Sequence, residues 1–137
     1  MKLKVLNKKV DAFNLQELLV VMVIIGILVL IATPNLMSLV TKSKSTEAKI
    51  QLGHLHGLQL DYHYMNSKYS NSFNDIDFEP PININQGGSA FYSYEIIEAS
   101  ANSFKARATA VTDFDGDGTF NVWEIDQNKQ LKEIVKD

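Results

Sequence analysis

An α+β fold is predicted: one long N-terminal helix packed on a small antiparallel meander of about four strands. Three features predict it. Residues 18–32 are an unbroken apolar run, residues 45–65 repeat apolar side chains at helical spacing, and residues 90–135 hold four short β-rich stretches separated by turn residues. A chain of 137 residues can bury one modest core. The absence of cysteine excludes a disulfide framework, a zinc–thiolate site, an iron–sulfur cluster and a thiol nucleophile. A net charge of −3 is small and of the wrong sign for non-specific nucleic-acid binding.

The apolar run comes first. Leu18 to Ala32 reads LLVVMVIIGILVLIA, and no residue between Glu17 and Lys42 is charged. Phe13 and Leu15 upstream, with Leu36, Met37, Leu39 and Val40 downstream, extend the run to the ~20 residues that a membrane-spanning helix needs. No polar face recurs every 3.6 residues, so lipid or copies of the same helix must solvate it. Lys2, Lys4, Lys8 and Lys9 precede the run against Asp11 alone, which predicts a cytoplasmic N-terminal side and an extracytoplasmic remainder. A cleavable secretory signal also has basic residues before an apolar core, but Ile31-Ala32-Thr33-Pro34-Asn35 is a poor cleavage site. Pro34 cannot donate to the helical ladder and is expected to kink or open the helix near Ile31.

Glu17 stands at the head of this helix. A carboxylate inside a membrane costs up to ~2.5–3.5 kcal/mol at the bilayer centre and less near an interface, so it calls for a partner. No Lys, Arg or His lies within two turns on its C-terminal side. Position alone leaves two readings open, a side chain reaching the headgroups and a functional charge.

The stretch Ala12-Phe13-Asn14-Leu15-Gln16-Glu17-Leu18-Leu19 resembles the N-terminal signature of type IV pilins and type II secretion pseudopilins. A basic leader, a Phe, a Glu four residues on and a long apolar helix occur in register, and Ile24-Ile25-Gly26-Ile27-Leu28 and Ala32-x-Pro34-Asn35 continue the match over about the first third of the chain. The resemblance implies a prepilin peptidase that cuts between Ala12 and Phe13 and methylates the new amine. It also implies a homo-oligomeric helical filament built on an inner-membrane assembly platform. The α-amino group of Phe13, with an unperturbed pKa of ~7.7–8.0, would then neutralise Glu17 of a neighbouring subunit and set the axial register. Ala12 stands where the family usually has Gly, and Asn14 where it usually has Thr. The implied organisation is a cleaved leader over 1–12, an assembly helix over 13–41, its amphipathic continuation over 42–65, and a loop plus sheet over 66–137.

Within the continuation, Ala48, Leu52, Leu55, Leu58 and Tyr62 form one stripe. Thr41, Lys42, Ser43, Lys44, Glu47 and Lys49 are expected to be solvated at the membrane boundary, and Gly53 and Gly57 could admit a close neighbour. His54, His56 and His63 lack the i, i+4 spacing of a chelating pair. Residues 66–90, with Pro80-Pro81 and Gly87-Gly88, read as a long loop with a short strand near Ile82 to Ile84. Strands are predicted over Ala90–Glu98, Ser103–Val111, Phe120–Ile125 and Leu131–Val135, with Trp123, Phe104 and Phe91 in the core.

Between the second and third strands, Asp113, Asp115, Asp117, Thr119, Asn121 and Glu124 occupy the ligand positions of a calcium loop, with Gly118 at the sharp turn. The strand flanks exclude an EF-hand domain. Asp115-Gly116 and Asp117-Gly118 are also favoured hairpin dipeptides, so a solvated turn is the competing reading. The resemblance to major pseudopilins, which commonly carry calcium in a C-terminal loop, tips the expectation toward calcium.

The functional expectation is a non-enzymatic structural subunit of a type IV filament-like assembly, either a pilin or a pseudopilin, at the bacterial inner membrane and then in the filament. No nucleophile, base and oxyanion constellation is visible for an enzyme. A membrane-tethered, extracytoplasmic calcium-binding module is the alternative. Nucleic acid is not an expected partner, because loss of the leader removes four Lys and one Asp and takes the charge from −3 to −6.

Overall fold

The computed structural model describes residues 12–137, so residues 1–11, nearly all of the leader expected over 1–12, lie outside the described part. One helix, α1 (Leu15–Asn66), precedes a four-stranded antiparallel sheet of β1 (Tyr92–Ala99), β2 (Phe104–Ala110), β3 (Val122–Asp126) and β4 (Leu131–Val135), in spatial order β1-β2-β3-β4. The α+β meander is therefore as predicted. Residue contacts divide the chain into two compact units, one ending at Leu36 and the other running from Met37 to Asp137.

Among the described residues, the first unit holds α1 as far as Leu36. Every residue from Leu18 to Val40 is exposed, and among the described residues α1 is the helix long and apolar enough to cross a membrane. The helix does not open at Pro34, which α1 carries in its interior. Pro34 leaves the Leu30 carbonyl without an amide donor, but Thr33 Oγ1 donates to the Val29 carbonyl at 2.7 Å one turn back.

In the second unit, α1 buries Thr41, Ser45, Ala48, Leu52, Leu55 and Gln59 at three- and four-residue steps, and His56 beside Leu55 widens the stripe. Ala48, Leu52 and Leu55 form one core with Tyr92, Tyr94, Phe104 and Ile125, while Leu58 and Tyr62 flank it, partly buried. The inner face of β2 is Ala106, Ala108 and Ala110, all buried, whose short side chains leave room for the helix stripe. Phe104 is buried as predicted; Trp123 and Phe91 are only partly buried at the core margin. Each packs beside a lysine instead, Lys49 Nζ lying 4.4 Å from the Trp123 ring and Lys44 Nζ 4.8 Å from the Phe91 ring.

The boundary residues also depart from expectation. Thr41 is buried, and Glu47 accepts the Phe91 amide at 3.0 Å and the Tyr94 hydroxyl at 3.2 Å, tying α1 to the start of β1. Burial and the adjacent Glu47 carboxylate push the Tyr94 hydroxyl pKa up, so it stays a donor. Among the described residues Gly53 and Gly57 have no close neighbour, since a side chain at either would meet open space.

The outer face of the sheet carries a row that sequence reading did not identify. Glu95, Arg107, Glu124 and Lys132 lie directly opposite one another across β1 to β4. Arg107 Nη2 donates to Glu124 Oε1 at 2.6 Å, and Arg107 Nη1 is 3.7 Å from Glu95 Oε1. Alternating charge at one register favours this strand order over a slipped one.

The long loop is tied down rather than loose. Buried Gln59 brackets Ser70, accepting its amide at 3.0 Å and donating to its carbonyl at 2.6 Å. His63 Nε2 and His56 Nε2 lie within hydrogen-bonding distance of the carbonyls of Ala101 and Gln127, at 3.0 and 3.2 Å, which fastens two sheet turns to α1. The strand expected near Ile82 to Ile84 is replaced by a one-residue bridge between Asn83 and Ala90 and a 3-10 turn over Ile84–Gln86. That turn folds Gly88 onto Ile82, whose carbonyl would collide with any Cβ at position 88. β3 begins at Val122, because Asn121 turns inward and Phe120 is left 45% exposed.

Candidate functional site

Two groupings hold the residues singled out in the sequence, one at the start of α1 and one in the β2–β3 connection. At the first, Phe13 is 91% exposed and Ala12 is exposed beside it. Asn14 precedes the first helical residue, and Glu17 Oε2 accepts the Asn14 amide at 3.0 Å. This is the reciprocal half of a capping box, in which an acid at the third helical position reaches back to the N-cap amide. Glu17 therefore satisfies one orphan donor of its own helix and sits at the positive end of the macrodipole. The spacing Asn14-x-x-Glu17 could have revealed this, and sequence reading missed it by looking only for cationic partners. Gln16, Val20 and Val21 surround Glu17 with a shallow apolar surface.

The acidic loop gathers Asp113, Asp115 and Asp117, one carboxylate oxygen of each lying within 4.8 Å of the others. Asp113 organises it: Oδ1 accepts the Gly116 amide at 2.6 Å and Oδ2 the Gly118 amide at 2.6 Å. Asp115 and Asp117 repeat the motif, accepting the amides of Asp117 at 3.0 Å and Thr119 at 2.7 Å. Gly116 and Gly118 hold φ of 85° and 88°, the left-handed region where a side chain is strained. The amides of Gly118 and Gly116 hold the Asp113 carboxyl below its ordinary value of 3.8.

Two of the residues proposed from spacing are engaged elsewhere. Glu124 is the Arg107 partner on the outer sheet face. Asn121 is fully buried: its Oδ1 accepts the Tyr92 hydroxyl at 2.7 Å, and its Nδ2 donates to Glu133 Oε1 at 2.7 Å and the Val135 carbonyl at 3.1 Å. Asp113, Asp115 and Asp117 lie together with Thr119 bonded to the same loop, whereas strand pairing engages Asn121 and Glu124 in the sheet. Asp137, which no local motif marks, is brought in by β4, and its Oδ2 accepts the Phe114 amide at 2.9 Å. Desolvation pushes the Asp137 carboxyl up, opposed by the Phe114 amide and reinforced by Asp115, Asp113 and Asp117.

The two shifts have opposite signs in pH. Asp113 contributes stability that is present above the ordinary aspartate pKa and lost as acid protonates it below that value. Asp137 contributes stability present below the ordinary pKa and lost as pH rises through its raised value. In chelator, the melting temperature is expected to rise as pH falls from neutral through the Asp137 titration, then to fall in stronger acid. Melting curves of wild type and Asp137→Asn check this, because the variant should lose only the first limb.

No family model matches the chain. Over 80 residues it is 38% identical to the type IV major pilin protein PilA of Myxococcus xanthus (strain DK1622). The chain is similar to a type IV pilin. The matched stretch is 58% of this chain and 36% of that relative, so the chain spans little more than a third of the pilin's length. A long apolar N-terminal helix followed by a four-stranded antiparallel sheet fits a pilin-like protein.

Proposed function

We propose that this chain is a non-enzymatic structural subunit of a type IV filament, anchored in the bacterial inner membrane by α1 before assembly. The observation that carries the proposal is the 38% identity to a major pilin over 80 residues. The wholly exposed apolar surface of α1 from Leu18 to Val40 supports it, because that surface needs either lipid or other copies of the helix. Assembly transfers it from one to the other. Prepilin peptidase cuts after Ala12 and methylates Phe13, and an inner-membrane platform adds the processed subunit to the filament base. The Phe13 amine of one subunit then meets Glu17 of the next. Electron microscopy tests the reading: cells lacking the chain should lose filaments. Unchanged filaments, with the chain remaining monomeric in the membrane, would favour the tethered module.

The second reading, a secretion pseudopilin, is favoured by the acidic loop. Calcium fits the carboxylate oxygens of Asp113, Asp115 and Asp117, which lie close enough together to share one hard cation and would supply its anionic ligands. Binding would offset their mutual repulsion and lock the β2–β3 connection. On this proposal, calcium raises the melting temperature of the wild type and not that of the Asp115→Ala, Asp117→Ala double variant. Equal melting of the wild type in calcium and in chelator removes calcium from the account and leaves a solvated turn.

A further inference from the structure

Phe114 is 7% exposed, although it stands in the β2–β3 connection between Asp113 and Asp115. Three parts of the head hold it. Its ring meets those of Phe91 and Tyr92 edge to face, with centroids 6.3 and 5.8 Å apart. Lys44 of α1 sets its Nζ 4.4 Å from the centre of the same ring and 4.8 Å from that of Phe91. From beyond β4, Asp137 Oδ2 accepts the Phe114 amide at 2.9 Å. Asp113 then fixes the backbone that follows, accepting the amides of Asp115 at 3.2 Å and of Gly116 and Gly118 at 2.6 Å each.

On the helix side, the first contacts with the sheet are slight. Thr41, Ser45 and Ala48 are the first buried residues of α1 beyond the exposed apolar stretch, all three are short, and Leu52 is the first large one. Over these turns Lys44, Glu47 and Lys49 are the long side chains that reach across to the rest of the head. Lys44 does so without an ion pair. Among the described residues the ion pairs are those of Arg107, and Glu47 accepts the Phe91 amide and the Tyr94 hydroxyl. An ammonium over two ring faces is attracted by both, and more strongly when half-buried, as Lys44 is.

We propose that Phe114 is a latch between the acidic loop and α1, so that the turn over residues 113–119 and the attachment of α1 residues 41–48 to the sheet tighten and loosen together. The loop thereby governs how firmly the helix is held just past its exposed apolar stretch. Such a coupling is reciprocal, so a change at either end must be felt at the other. Hydrogen exchange of the full chain in nonionic detergent and chelator, read by mass spectrometry, tests this. Asp113→Ala unties the turn without altering α1. Lys44→Ala removes the cation without altering the hydrogen bonds of the loop, and alanine keeps the helix propensity. Asp113→Ala should speed exchange over residues 44–48 about fivefold, and Lys44→Ala should speed it over residues 115–119 by a similar factor. Residues 52–59 of α1, which include the buried Leu52, Leu55 and Gln59, should exchange as in the wild type.

In a Phe114→Leu background, which keeps an apolar side chain and loses the ring, the effect of Lys44→Ala on the loop should vanish. Its persistence there would place the coupling elsewhere and overturn the role of Phe114. Faster exchange confined to the loop in Asp113→Ala and to α1 in Lys44→Ala would overturn the latch itself. So would equal acceleration over residues 52–59, which would mean that both changes lower the stability of the whole head. The measurement needs neither a bound cation nor a filament, so the calcium reading, the filament reading and this one fail separately.

Discussion

Glu17→Gln is expected to leave the chain in the membrane and to abolish filaments. Gln retains the oxygen that accepts the Asn14 amide at 3.0 Å, so the helix cap survives, and loss of a charge makes insertion easier. On the proposed function, what would disappear is the counter-charge that Glu17 offers the α-amine of a processed Phe13 in a neighbouring subunit. An ammonium buried among apolar helices without its partner costs several kcal/mol, enough to disfavour each added subunit. Sheared-filament yield measures the effect, with membrane fractionation as the control. Normal filaments from the variant would show that the cap is the whole role of Glu17.

Asn121→Ala lowers stability by about 2–4 kcal/mol, and by the same amount in calcium and in chelator. The residue is fully buried and holds Tyr92, Glu133 and the Val135 carbonyl together. Its removal leaves the Tyr92 hydroxyl and the Glu133 carboxylate short of partners between β1 and β4. Burial, then Glu47, Glu133 and Asp137, push the Tyr92 pKa up, so ionisation offers no relief. Thermal or urea unfolding in both conditions checks the prediction. A loss that appears only with calcium would return Asn121 to the metal site that spacing alone proposed.

Local periodicity was legible in the sequence, and long-range strand pairing was not. The apolar run, the Ala48–Leu52–Leu55 stripe and the four strands follow from periodicities of 3.6 and 2, which are local, and the meander follows from short turns between consecutive strands. Glu17 stood out as a charge at the head of an apolar run, but its bond to the Asn14 amide was missed. Asn121 and Glu124 misled because a spacing pattern cannot tell that pairing with β2 and β4 will claim their side chains. Asp137 was invisible for the same reason, since only the β3–β4 hairpin carries it back to Phe114. Thr41 and Glu47 were assigned to solvent because their polarity hides the cover that the sheet provides.

Mass spectrometry of the subunit recovered from purified filaments tests the central claim most directly. The account predicts a chain that starts at N-methylated Phe13 and lacks residues 1–12. Filaments assembled from chains that still carry Lys2 to Ala12 would contradict it, because Glu17 would then have no neighbouring Phe13 amine to meet.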